Sequence, residues 1–340
     1  EWMEEGQFDL RFDRGRNFFE FYLLSPGAHW TFLLFNPDGS LVGIGSMQRS
    51  MRDIKGREVP VAYLLDLRIS GKSQLTAMKQ WRDFFKKMVN SLSSLREDQR
   101  CEIAVTAVFL TNVKAQNALV KKSRGPAYIP LKDYWNVQML AGSPWGRFSK
   151  PEGFTVERNE QGFTGEIIEF ITKWDLSFAA SEYAKLEATM GPNPLAGFVA
   201  RNSAGEIVGF VRPWINRSSR TPVVKIKTTF LKILARLAKI KSNVPFSLLH
   251  HSLFIIRPDV SAELKKKIAR ELLKESFKEA HNEEYTVSIL TTTDSEIAKA
   301  VSAPYTISNT QECMLYQVLI GDQKPLLLNN ENVFFEGALS

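Results

Sequence analysis

The sequence predicts an α/β (α+β) protein built as two lobes in tandem, and three observations carry that reading. At 340 residues the chain exceeds the usual size of one domain. One order of elements (hairpin, strand, loop, helix, strand, short helix, strand) is read twice along it, a repeat in architecture more than in residues. Charge divides the same way: residues 1–150 hold 22 basic and 15 acidic side chains, whereas the remainder balances, leaving a net +7. Each lobe is expected to be a mixed, mainly antiparallel sheet flanked by helices.

In the first lobe, residues 1–145, a short strand is expected at Phe8–Phe12, followed by an aromatic segment, Phe18–Leu24, that Ser25-Pro26-Gly27 breaks. His29–Phe35 and Leu41–Ser50 read as a hairpin about the turn Asn36-Pro37-Asp38-Gly39. After a polar loop, Arg52–Arg57, the β-branched and aliphatic run Glu58–Ile69 is a strand. The period then changes to helical over Gln74–Val89, with Leu75, Met78, Trp81, Phe85 and Met88 on one stripe. Cys101–Leu110 reads as a strand buried on both faces, Val113–Lys122 as a short helix and Tyr134–Leu140 as the closing strand. Gly142–Gly153, with prolines and glycines, reads as a linker.

The second lobe, residues 146–322, is expected to hold a strand Gly165–Thr172, a helix Ser177–Thr189, and a hairpin of Leu195–Arg201 with Glu206–Trp214. Ser247–Ile256 is a long strand and Ser261–Ala280 a helix with Leu264, Ile268, Leu272 and Phe277 inward. A strand Thr286–Leu290, a short helix Ser295–Val301 and a last strand Glu312–Ile320 follow, then a tail, 323–340. Between strands, Lys225–Lys241 carries six basic residues and no acid, with Ile226, Phe230, Ile233, Leu234 and Leu237 near one helical face. It is expected to be an inserted basic helix that packs on the first lobe or covers a cleft; contact with a membrane surface or an anionic partner is the alternative.

Composition bounds the function classes. No apolar run approaches the roughly 20 residues of a membrane span, and the acidic Glu1–Glu5 start does not read as a signal peptide. Cys101 and Cys313 lie in apolar stretches and are expected to be buried, reduced thiols, which fits a cytoplasmic location. Two cysteines and four histidines in no ligand-like spacing give no reason to expect a metal. The adjacent His250 and His251 are expected on opposite faces of a strand. A basic first half suits a phosphate-bearing ligand; nucleic acid is the weaker reading.

The order of elements and several segments resemble the GNAT superfamily of N-acyltransferases. Leu33 to Gly43, through Asn36-Pro37-Asp38-Gly39, resembles the hairpin whose second strand begins G-x-x-V-G, and Val61–Ile69 resembles the family's fourth strand. Asn112-Val113-Lys114-Ala115 is similar to the N-x-x-A that opens the helix after the fifth strand. Ala204 to Gly209 and Leu253 to Pro258 are the second lobe's counterparts. The likeness covers roughly residues 8–140 and 163–320. It implies that the fourth and fifth strands splay, that the pantetheine arm lies in the gap, and that the pyrophosphate rests on amides of the following loop and helix start. Acetyl-CoA or another acyl-CoA is then the co-substrate, and an amine the acceptor.

Carried over residue by residue, the acyl-CoA site of the first lobe comprises Leu67, Arg68, Ile69, Ser70, Gly71, Lys72, Ser73 and Gln74, with Asn112. The family's Q/R-x-x-G-x-G/A loop is matched in two ways, by Arg68 to Ser73 with a shortened loop or by Gln74 to Lys79 without glycines. In the second lobe Val260 stands at the first glycine and Asp259 near the phosphates, so that lobe is expected to be structural. The resemblance implies a strand carboxylate as base: Asp66 first and Glu58 second, with an oxyanion donor near Leu67 or Ile69. The tyrosine many members carry in the helix after strand five is missing from Asn117-Ala118-Leu119-Val120, which leaves Tyr128 and Tyr134 as candidates. The competing expectation is a non-catalytic scaffold or ligand sensor on the same fold.

Overall fold

The turn Asn36-Pro37-Asp38-Gly39 closes a hairpin as its residues dictate. Gly39 takes φ +82°, and the Asp38 carboxylate accepts from the Ser40 amide at 2.9 Å. The strands it joins are β3 (Ala28–Phe35) and β4 (Leu41–Ile54), and β4 turns back into β5 (Arg57–Ile69). Thus most of the expected polar loop at Arg52–Arg57 is strand. The computed structural model describes residues 3–5, 8–13, 27–54, 56–70, 75–121, 125–140, 152–174, 179–189, 195–216, 221–229, 240–283, 285–302 and 308–325, with 232, 235 and 236. The aromatic segment Phe18–Leu24 lies outside them.

Helix α1 (Leu75–Ser91) covers one face of this sheet, and β6 (Ile103–Phe109) returns parallel to β5. The expected stripe is corrected at its start: Leu75 is 90% exposed, and Ala77 and Val89 are buried instead. Trp81 packs close against the sheet at position 45 because that residue is glycine; a Cβ there would stand 2.8 Å from the indole ring. Helix α2 (Val113–Ala115) widens into a π-turn over Gln116–Lys121, and the strand expected at Tyr134–Leu140 begins earlier, as β7 (Tyr128–Leu140).

The second lobe starts with a strand not foreseen, β8 (Phe154–Asn159), and continues into α3 (Gly165–Trp174), where the sequence suggested a strand. Ile167, Phe170 and Ile171, at helical spacing, are the residues that α3 buries, against Tyr183 and Leu186 of α4 (Ala180–Thr189) and Phe210. Strands β9 (Gly197–Asn202) and β10 (Ile207–Asn216) form the second hairpin; β11 (Thr221–Ile226), β12 (Leu248–Ile256), α5 (Ala262–Glu279), β13 (Val287–Thr292), α6 (Ser295–Val301) and β14 (Ser308–Val318) follow. His250 stacks on Trp214 while His251 Nδ1 lies 2.8 Å from Ser276 Oγ of α5, so the two rings take opposite faces as expected.

The lobes share one sheet, in the order β3-β4-β5-β6-β14-β7-β13-β12-β10-β9-β8. Each lobe gives away its last strand. β14 pairs antiparallel with β6 of the first lobe, β7 pairs antiparallel with β13 of the second, and β14 and β7 pair with each other. The first lobe's core therefore contains Cys313, Leu315 and Val318 of β14 beside Val61, Ala62, Ala104 and Val105. The three antiparallel steps from β6 to β13 reverse direction, so β12 and β13 run opposite to β5 and β6. The two lobes consequently present their strand ends at opposite ends of the sheet.

A second sheet, β1-β2-β11, joins β1 (Met3–Glu5) and β2 (Phe8–Asp13) to β11. The N-terminal strand expected in the first lobe's sheet thus pairs with the second lobe's insertion. Lys225 and Ile226, expected in a basic helix, lie on β11, with Lys225 opposite Asp9. Among the described residues no helix is long and apolar enough to cross a membrane.

Candidate functional site

The parallel pair β5–β6 is in register only at Val61–Ile103, Ala62–Ala104 and Tyr63–Val105. Beyond Tyr63 the strands separate into a V, and the Thr106 hydroxyl donates to the Leu64 carbonyl at 2.8 Å across its apex. The pair β12–β13 behaves alike, in register from Leu248–Val287 to His251–Leu290 and open beyond. An unzipped parallel pair leaves backbone N–H and C=O groups without ladder partners, which is what a ligand with amide groups requires.

Both lobes place the same irregularity at the mouth of the V. Between Ile44–Arg68 and Ser46–Leu65 the register of β4–β5 slips by one residue, and Asp66 takes φ +53°. Between Phe210–Ile255 and Arg212–Ser252 the register of β10–β12 slips identically, and Leu253 takes φ +52°. Left-handed backbone is tolerated by aspartate and strained for leucine, and bulges of this kind re-aim a side chain. In lobe 1 the re-aimed side chain is a carboxylate, 5% exposed, with Arg68 Nη2 at 3.3 Å from Oδ1. In lobe 2 it is an apolar chain sealed in the core with Phe210 and Ile255.

The other predicted residues separate. Arg68 and Ile69 continue β5 opposite Ile44 and Gly43, Leu67 is exposed, and the Ser70 amide donates to the Val42 carbonyl at 2.8 Å. Gly71, Lys72, Ser73 and Gln74 lie outside the described residues. Asn112 caps α2, its Oδ1 accepting from the Ala115 amide at 3.0 Å beyond the end of β6. Glu58 is not brought to Asp66: it begins β5 about 25 Å away along the strand and accepts from the Ser181 hydroxyl at 3.2 Å. Tyr128 is also remote from the mouth, pairing with Val318 at the level of Ala104 near the closed end. Burial without a polar partner pushes its phenol well above the usual range. Tyr134 stands level with the end of β6 but one strand beyond β14, and is buried.

An ion pair spans the V of lobe 2. Lys265 Nζ in the first turn of α5 bonds Asp294 Oδ2 at 2.9 Å, tying that helix start to the N-cap of α6 on the far side of the V. The expected repulsion by Asp259 is answered locally, because the Arg257 guanidinium bonds it and holds its carboxyl below the usual range. A cavity of about 520 Å³ beside this bridge is lined by Pro130, Lys132, Asp133, Trp135, Lys265 and Asp294. Among the described residues no cluster of three or more His, Cys, Asp or Glu side chains is arranged to hold a metal. Cys101 and Cys313 are free and buried, and burial raises their thiols to about 11 and about 12.

Solved structures of other proteins match this architecture. Saccharomyces cerevisiae N-myristoyltransferase with bound myristoyl-CoA matches 97% of this chain and 78% of its own, with a TM-score of 0.54 at 13% identity. The chain has a tandem GNAT-like fold. A second structure of that enzyme with myristoyl-CoA gives a TM-score of 0.50 at 12% identity over 97% of this chain and 82% of its own. A GCN5-related N-acetyltransferase from Sphaerobacter thermophilus also gives 0.50, at 12% identity, covering 84% and 79% of the two chains. No family model and no curated protein matches the sequence. At these identities the likeness is one of GNAT-like architecture, and chemistry resides in the site.

Two further features of this GNAT-like chain escaped sequence reasoning. The first is the bulge, because nothing in Leu64 to Arg68 announces a left-handed residue. The second is Tyr316, which β14 brings opposite Thr106 and whose hydroxyl donates to Gln116 Oε1 at 3.0 Å. Only the exchange of strands makes it part of lobe 1. The insertion lies at the same end of the sheet as the open V of lobe 1, and its described cations Lys225, Lys227, Lys232, Arg236 and Lys241 are exposed.

Proposed function

We propose that this chain is an acyl-CoA-dependent N-acyltransferase that holds its thioester in the V of lobe 1 and passes the acyl group to an amine. One observation carries the reading: the same bulge at the mouth of both V's presents a carboxylate, Asp66, in lobe 1 and an apolar side chain, Leu253, in lobe 2. Lobe 2, with Leu253 at the bulge and Lys265–Asp294 across its V, acts as the structural partner.

In lobe 1, Asp66 takes the proton of the incoming ammonium, and Arg68, 3.3 Å from its Oδ1, holds the carboxylate in place. The neutral amine attacks the thioester carbonyl, a main-chain N–H near Leu67 or Ile69 carries the developing oxyanion, and the C–S bond breaks to release CoA as thiolate. Acetyl-CoA is the simplest donor to test. Two buried, reduced cysteines suit a reducing compartment such as the cytoplasm.

A second reading, a GNAT-like scaffold that binds without reacting, is favoured by the pairing of Asp66 with Arg68 and the lack of a tyrosine in α2. Titrating the full chain with acetyl-CoA, then following free CoA thiol with a set of primary amines, separates the two. Heat of binding with thiol release supports the enzyme, heat without release supports the scaffold, and no heat at high micromolar ligand removes the acyl-CoA reading.

A further inference from the structure

The face of the lobe 1 sheet covered by α1 carries a buried polar group that the proposed chemistry leaves unused. Side chains directly opposite in a ladder share a face, so Thr106 and Tyr316 project together, on the same side as Ala104 and Val318, which belong to the core packed on α1. Gln116, from the helix after β6, reaches down to this pair and accepts the Tyr316 hydroxyl on Oε1 at 3.0 Å. The amide nitrogen of Gln116 faces away from Tyr316, buried and without an acceptor, in a residue only 8% exposed. A buried donor left unmet is costly, and protein interiors seldom retain one without a role. The residue opens the π-turn Gln116–Lys121, a backbone irregularity that recurs at functional sites. Its neighbour Thr106 spans the apex of the V.

We propose that Gln116 is a ligand-binding residue of the lobe 1 cleft, donating its amide N–H to a carbonyl oxygen of the pantetheine arm of an acyl-CoA. Tyr316 is its positioning residue. The cleft is thereby completed by a strand from lobe 2, and binding in lobe 1 draws on both halves of the chain. The inference rests on the acyl-CoA reading above. A carbonyl is the matching chemistry because the site offers a neutral donor beside the parted ends of β5 and β6.

The test is calorimetric titration of the full chain with CoA, alongside thermal unfolding of the same samples. Gln116→Met keeps the shape and removes both polar atoms; it is expected to weaken CoA binding about ten-fold, the size of one hydrogen bond whose partner is left buried. Tyr316→Phe is expected to weaken binding about three-fold, and to have no added effect in the Gln116→Met background. A purely structural pair would instead lower the unfolding midpoint with CoA affinity unchanged, and CoA binding by Gln116→Met within two-fold of wild type overturns the proposal. Gln116→Glu guards against misfolding of the first variant, since it retains the oxygen that Tyr316 bonds and lacks the donor. Weakened CoA binding by that variant at an unchanged midpoint supports the proposal, and wild-type affinity overturns it. If the wild type binds no CoA, the acyl-CoA reading falls first, and this inference with it.

Discussion

Leu315 gives the sharpest handle on how the two lobes depend on each other. It lies in β14, the last strand among the described residues, yet its side chain, 2% exposed, packs with Val59, Val61, Tyr63 and Val105 of lobe 1. Leu315→Ala removes a fully buried isobutyl group from a cluster held on its other sides by strands that cannot move in to fill the space. Substitutions of that kind cost about 2–5 kcal/mol, against a typical total stability of about 5–15 kcal/mol. The loss must be read in lobe 1 if β14 belongs energetically to the sheet it joins. Urea unfolding of the full chain is expected to give a lower midpoint with an unchanged slope, and hydrogen exchange followed by mass spectrometry locates the change. Peptides covering Val59–Leu65 and Ile103–Val108 are expected to lose protection together with Ser308–Val318. Loosening confined to β14 and the second lobe, with β5 and β6 as protected as before, would refute the argument.

Three other outcomes follow from the same geometry. Asp66→Asn is expected to lower kcat by about 10²–10⁴ while leaving CoA affinity within a factor of two, because the change is nearly isosteric and removes only the proton acceptor; equal turnover by the variant dismisses Asp66 as the base. Gly45→Val forces a side chain into the Trp81 ring, where even a Cβ would stand at 2.8 Å, and is expected to cost about 1–3 kcal/mol by thermal or urea unfolding. Burial lowers His251 to about 3 in the folded chain, helped by the neighbouring His250, against an ordinary value of 6.5. The unfolded chain therefore binds the extra proton between these values, so this contribution is complete above the ordinary value and is lost as pH falls toward the folded one. The slope approaches about 1.4 kcal/mol per pH unit. Urea midpoints measured across that window are expected to vary less in His251→Gln; an equal slope in the variant assigns the acid sensitivity elsewhere.

The local parts of the fold were legible in the sequence. Turn residues fixed the hairpins at Asn36–Gly39 and Asn202–Gly205, and helical spacing marked α5, which the structure shows capped by Ser261. Local signals failed where tertiary contacts decide. Glu166 to Thr172 is rich in β-branched and aromatic residues, yet Ile167, Phe170 and Ile171 are spaced for one helical face, and packing on Tyr183 and Phe210 selects the helix. Lys225 and Ile226 continue a helical pattern but are drawn into β11 by pairing with the N-terminal β2. The exchange of β7 and β14 joins residues some two hundred positions apart, and no local pattern encodes such a pairing. The site divides in the same way. Asp66 was readable from its place on a strand that resembles the family's fourth; its left-handed backbone, the Lys265–Asp294 bridge of lobe 2 and the Tyr316–Gln116 pair exist only in three dimensions.

The central claim is that lobe 1, and not lobe 2, receives an acyl-CoA between parted parallel strands. Hydrogen exchange of the full chain with and without saturating CoA tests it most directly, because amides at the mouth of a V gain partners only if the ligand lies there. The account predicts new protection over Leu64–Ser70 and Phe109–Gln116, with Leu253–Lys265 and Thr292–Ile297 unchanged. Protection confined to those lobe 2 segments, or none in either lobe at a concentration where CoA is bound, would contradict it.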